Sequence, residues 1–102
     1  MNDSFVQFVL DQLRSLPEAR AKAMFGGHGL YSGEVFFGIV HDGRLFFRTT
    51  PDTVQAYVEN GMKHFEPRPG QALRNYYEVP IDVIEDDGEL VIWARGAIQS
   101  GR

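Results

Sequence analysis

The sequence predicts an α+β domain of two layers, an antiparallel sheet with helices packed against one face. Three observations carry this. Apolar residues recur at helical spacing near both ends of the chain. The middle is rich in Val, Ile and Phe at strand-like spacing. Two of its apolar runs meet across Asp42-Gly43, a tight hairpin signal that implies antiparallel pairing rather than βαβ units.

The elements follow in order. From Ser4 to Leu16, Phe5, Phe8, Val9, Leu13 and Leu16 form one apolar stripe. Ser4 and Gln7 have the spacing of a capping box, with Asp3 as an alternative cap, and Pro17 ends the helix. Lys22 to Tyr31 reads as one strand, bent or bulged at Gly26-Gly27-His28-Gly29. After a turn at Ser32-Gly33, Glu34 to His41 and Arg44 to Thr49 form a hairpin. Thr50-Pro51-Asp52 opens a second helix, buried through Val54, Tyr57 and Val58 and closed by Asn60-Gly61.

Lys63 to Pro67 is a short strand, which Pro67 and Pro69 confine to an edge or a strand end. A turn at Pro69-Gly70 precedes the strand Asn75 to Val79, which Pro80 terminates. Ile81 to Glu85 forms one helical turn, and Asp86 or Asp87 caps a last helix with Leu90, Trp93, Ala94, Ala97 and Ile98 on one face. Gly96 costs that helix about 1 kcal/mol relative to Ala, which points to a close approach there. The expected architecture is a two-layer α/β sandwich, α-β(3)-α-β(2)-α, with a five-stranded antiparallel sheet. Phe37, Phe47 and Trp93 are expected in its core.

Composition bounds the function. The 102 residues make a single domain, 1–102. No apolar run approaches the length of a membrane span, and the N-terminal residues lack the pattern of a secretory signal. The absence of Cys excludes disulfides, thiolate metal sites and thiol nucleophiles, and fits a cytoplasmic domain with no cofactor. Ten Lys and Arg stand against 14 Asp and Glu, a net charge of −4. With no cluster of basic residues, tight DNA binding by the chain alone is not expected.

Several motifs together resemble one family. Ala23-Met24-Phe25-Gly26-Gly27-His28-Gly29-Leu30-Tyr31 is followed by Val35-Phe36-Phe37-Gly38-Ile39-Val40 and by Asp42-Gly43-Arg44-Leu45-Phe46-Phe47-Arg48. Tyr76-Tyr77-Glu78-Val79-Pro80 and Trp93-Ala94-Arg95 come later in the same order. The stretch from about Pro17 to Ile98 resembles the TfoX N-terminal domain family. The resemblance implies an α-β(3)-α-β(2)-α fold similar to secretion chaperones. It also implies a bacterial regulator of natural competence, whose separate C-terminal domain is the more plausible DNA contact. It implies no catalytic residues.

The remaining constellations have plain structural readings beside their chemical ones. Gly26, Gly27, His28 and Gly29 offer an anion or ligand loop, but the spacing matches neither a P-loop nor a dinucleotide motif, and a structural bend is the simpler reading. His28, His41 and His64, with Glu66 or Asp42, lack metal-ligand spacing. Asp86 and Asp87 suit a helix start better than acid–base chemistry. Ser4, Ser15, Ser32 and Ser100 stand in no nucleophile motif.

The two middle strands carry more information. Strict alternation places Val35, Phe37 and Ile39 on one face and Phe36, Gly38 and Val40 on the other. Leu45 and Phe47 then oppose Arg44, Phe46 and Arg48. The arginine face is too apolar for a solvated sheet. Three readings stay open: a loop or terminus covers Phe36, Val40 and Phe46; these residues, rimmed by Arg44 and Arg48, bury against a protein partner or a second copy; or the sheet stacks nucleic-acid bases. A continuous surface of Arg44, Arg48, Arg68 and Arg74 would favour the last. The expected function is a non-enzymatic regulatory or protein-interaction domain. The alternatives are a small ligand-binding or enzymatic domain using the glycine-rich bend, and a nucleic-acid-binding regulator.

Overall fold

The computed structural model describes residues 3–24 and 26–100. Helix α1 (Asp3–Gln12) leads into strands β1 (Ala19–Met24), β2 (Gly27–Ser32), β3 (Val35–His41) and β4 (Arg44–Arg48). Helix α2 (Val54–Glu59) connects to β5 (His64–Arg68) and β6 (Gln71–Glu78), and the short α3 (Ile81–Ile84) precedes α4 (Asp87–Ser100). The α+β class and the antiparallel pairing are as expected, but the sheet has six strands in the order β1-β2-β3-β4-β6-β5.

The sixth strand comes from the glycine-rich segment. Met24 faces Gly27 across the β1–β2 pair, so the chain reverses here instead of bulging within one strand. Gly26 has φ +77°, a conformation glycine adopts without steric cost. Phe25, expected within the bent strand, lies outside the described residues.

All four helices contribute to one apolar layer on one face of the sheet. α4 lies over β3 and β4, α1 meets β1, and α2 meets β6. Val6, Val9, Leu13 and Leu16 make the buried side of α1 and the turn after it, while Phe8 is exposed. Fully buried Phe37 and Phe47 pack with ring centroids 5.7 Å apart. Trp93 is half-buried and sets its edge against buried Tyr57 at 4.7 Å. Val58, expected on the buried side of α2, is exposed.

Local chemistry fixes the helix starts. The Thr50 hydroxyl accepts from the N–H groups of Asp52 and Thr53, and the Thr53 hydroxyl accepts from the Thr50 N–H at 2.8 Å. This reciprocal arrangement ties the turn that leads into α2, whose N-cap position is Thr53. Asp86 does the same for α4, accepting from the Glu89 N–H at 3.2 Å. A Cβ at Gly96 would stand 3.4 Å from Thr53 Cγ2, which locates the close approach.

One irregularity decides which side chains face the helices. Leu30 pairs with Gly38 but Tyr31 pairs with Phe36, so β3 carries one extra residue opposite β2. This is a β-bulge. Phe37 belongs to the helix-side core, and a Cβ at Gly38 would meet Phe47 at 3.1 Å and Leu30 at 3.3 Å on that same side. Two successive positions thus point inward, and the second has room only for hydrogen. Beyond the bulge the alternation is reversed. Val40, expected to face outward, packs in the helix-side core, and Ile39 takes the outward position.

Candidate functional site

The outward face of the sheet was the expected interaction surface, and most of its apolar residues are already covered within the chain. Ile39, Phe46, Phe65 and Tyr76 form a second buried cluster, with Phe36 packed against it. β5 supplies the cover: its Phe65 ring lies 4.5 Å from Phe46 and 5.3 Å from His41. Phe46 retains only 6% exposure and Val40 only 4%. Neither is available to a partner in this conformation, which corrects the expectation of an open patch at Phe36, Val40 and Phe46. Phe36 alone of the three is half-buried.

Arg44 and Arg48 do lie on this outward side, but each is engaged. Arg44 approaches Glu78 at 3.8 Å. Burial pushes the Tyr76 phenol above its ordinary value, and the Arg48 guanidinium, hydrogen-bonded to it, draws it partly back. Arg68 pairs with Gln71 beside the Pro69-Gly70 turn, away from the other two.

At the other end of the sheet an open cationic strip appears. Arg20 lies over the Tyr31 ring at 4.8 Å from its centroid and donates to the Gly33 carbonyl at 2.9 Å. Tyr31 packs on Phe36 at 5.2 Å, and Phe36 on Tyr76 at 5.8 Å. This row runs across the outward face from β1 to β6. Tyr31 and Phe36 remain half-buried, and Arg20 and Lys22 are exposed. A Cβ at Gly29 would collide with the Met24 and Phe36 side chains, which meet over it at 2.7 and 2.8 Å from that position. Gly29 is therefore a packing requirement of the row.

Part of the glycine-rich segment is built into the sheet. His28 and Gly29 are paired on both sides, with β1 and with β3, so their backbone groups belong to the ladders. A Cβ at Gly27 would come 2.3 Å from the Val40 carbonyl oxygen, so this glycine lets two strands close up.

The three histidines are not brought together. His41 and His64 line a cleft of about 460 Å³ beside Arg44, Lys63 and Phe65, whereas His28 does not reach it. Asp42, Glu66 and Glu78 line the same cleft. Glu66 accepts from the Gly70 N–H at 3.0 Å, fixing the β5–β6 turn. Among the described residues no group of His, Asp and Glu has the arrangement of a metal site.

A family model for the TfoX N-terminal domain matches residues 11–100. The chain belongs to the TfoX N-terminal domain family. No curated protein matches it as a relative. The TfoX N-terminal match spans every strand and the helices α2 to α4, so the outward row and the cleft both lie within the family domain. No described helix is long and apolar enough to cross a membrane.

Sequence reading missed three members of these sites in this TfoX N-terminal domain. Arg20 lies in β1, which begins at Ala19, ahead of the strand start expected at Lys22. Tyr31 was read only as a strand end. Phe65 sits between Pro67 and a loop, and no local signal shows that its strand curls onto Phe46.

Proposed function

We propose that this TfoX N-terminal domain is a non-enzymatic regulatory domain of the cytoplasm that acts by docking a protein partner. The observation that carries the reading is the cationic strip of Arg20 and Lys22 beside half-buried Tyr31 and Phe36. Aromatic rings with exposed cations at their rim are the composition of protein-binding surfaces. Further along the outward face Ile39, Phe46, Phe65 and Tyr76 are buried within the chain, so its half-buried rings Tyr31 and Phe36 lie toward the β1 end. Family membership supports a regulatory role, because the resemblance to this family implies a competence regulator.

Photo-crosslinking tests this in cells of the native host. A crosslinking amino acid at Lys22 should yield a discrete protein adduct, while the same group at exposed Ile92 of α4 should not. An adduct with a second copy would make the partner the chain itself. Adducts from Ile92 alone, or from neither position, would overturn the reading.

A further inference from the structure

The sheet has two edges, and they differ in what they can accept. β5 contains Pro67, which has no N–H, and its pairing with β6 slips on both sides of Phe65. That edge is broken as a template. β1 is regular: all six residues, Ala19 to Met24, pair one-to-one with β2, and none is proline. Among the described residues nothing pairs with its other side. Its length is about 20 Å at strand rise.

Side-chain alternation gives this edge two distinct faces. Ala19 and Ala21 pack toward the helix-side core. Arg20 and Met24 are on the outward face, over Tyr31 and Gly29, and Lys22 shares their phase. The edge is thus lined by small side chains on one side and by two cations on the other. Arg20 is already oriented, through its contacts to Tyr31 and the Gly33 carbonyl, yet keeps further N–H donors for an acceptor. The Lys22 side chain has no polar partner among the described residues.

We propose that β1 is a strand-addition site, and that its ligand is an extended acidic segment of a partner protein, with carboxylates at alternate positions. Such a segment would become a seventh strand. Main-chain hydrogen bonds to β1 would give binding, and carboxylates on the outward side would meet Arg20 and Lys22. Residues between them would lie on the side of the alanines. Charge selects this occupant: a basic peptide would face two cations, and single-stranded nucleic acid would use the rings but leave the open ladder unpaired. Cations on an edge also serve simply to repel other strands, and that plainer role makes the opposite prediction for an acidic peptide.

The inference rests on the docking reading above and specifies its ligand. The test is an amide-resolved NMR titration of the full chain with a blocked peptide of alternating glutamate and valine. Its lysine–valine counterpart and oligothymidine serve as the other probes. Saturable shifts and new exchange protection are expected at Ala19–Met24 with the glutamate peptide alone. Lys22→Glu, an exposed substitution that leaves the core intact, should weaken binding by about tenfold. Arg20→Glu with Lys22→Glu should transfer binding to the lysine peptide. Equal binding of both peptides, shifts without protection along β1, a preference for oligothymidine, or no binding at millimolar peptide would each overturn strand addition. If the Lys22 crosslink still formed in cells, docking at this end would stand and only the strand-addition mode would fall.

Discussion

The rings of Phe46 and Phe65 lie 4.5 Å apart, tilted by 47°, on the outward face of the sheet, although their strands are separated by β6. The contact closes a second small core, opposite the helices, from residues that read as exposed in isolation. Its stability contribution should be large for so thin a layer. Phe65 is 6% exposed, and Phe65→Ala should cost about 3 kcal/mol, measured by urea denaturation. A loss below about 1 kcal/mol would mean that the β5–β6 arm is not held against the sheet.

The same closure makes a statement about association. With Val40 and Phe46 buried, Phe46→Ser should destabilise the domain instead of dissolving a dimer. Light scattering over a concentration series should show wild type and variant with the same mass wherever both are folded. A wild-type dimer lost only in the variant would show that the cluster opens to a second copy.

Much of this was legible in the sequence. The Asp42-Gly43 hairpin, the edge position of the proline strand and the α4 face all follow from local rules, while α2 starts at Val54, later than the Thr50 signal suggests. Two features did not. Alternation gives the wrong face for Ile39 and Val40 because an extra residue in β3 is invisible to a period of two. The turn at Gly26 was hidden by neighbouring glycines that serve packing, so three glycines in four positions looked like one disruption. In both cases long-range pairing decides what local propensity leaves open.

Val40 gives the direct check of the bulge. Val40→Asp places a charge in the helix-side core and should abolish cooperative folding, whereas a strictly alternating strand would show it at the surface and tolerate it. Circular dichroism melting distinguishes the two outcomes.

Alkaline pH should weaken the fold through Tyr57. Its phenol is pushed well above the ordinary value near 10 by burial alone. The folded domain therefore keeps a proton that the unfolded chain releases, so stability is unaffected below about pH 10 and falls as pH rises beyond it. Tyr57→Phe should flatten part of that fall, with Tyr76 responsible for another part, since its phenol is raised too. Chemical denaturation at stepped pH measures both slopes.

Duplex DNA should not bind tightly. The chain carries a net charge of −4, and of the outward arginines Arg44 stands 3.8 Å from the Glu78 carboxylate and Arg48 beside Tyr76. Fluorescence anisotropy at physiological salt should show no submicromolar binding. A tight complex whose affinity falls steeply with salt would contradict this.

The bulge at Phe37 and Gly38 also has a consequence for the shape of β3. An extra residue bends its strand and increases the right-handed twist. Twist adds up from strand to strand, and β4, β6 and β5 follow β3 in the sheet, with Phe65 of β5 lying against Phe46 of β4. Deleting Gly38 removes the extra residue while leaving every other β3 side chain on its present face. The resulting strand would be flatter, and the far hairpin would stand away from the face it now shelters. One glycine in the middle of the sheet thus acts as its corner.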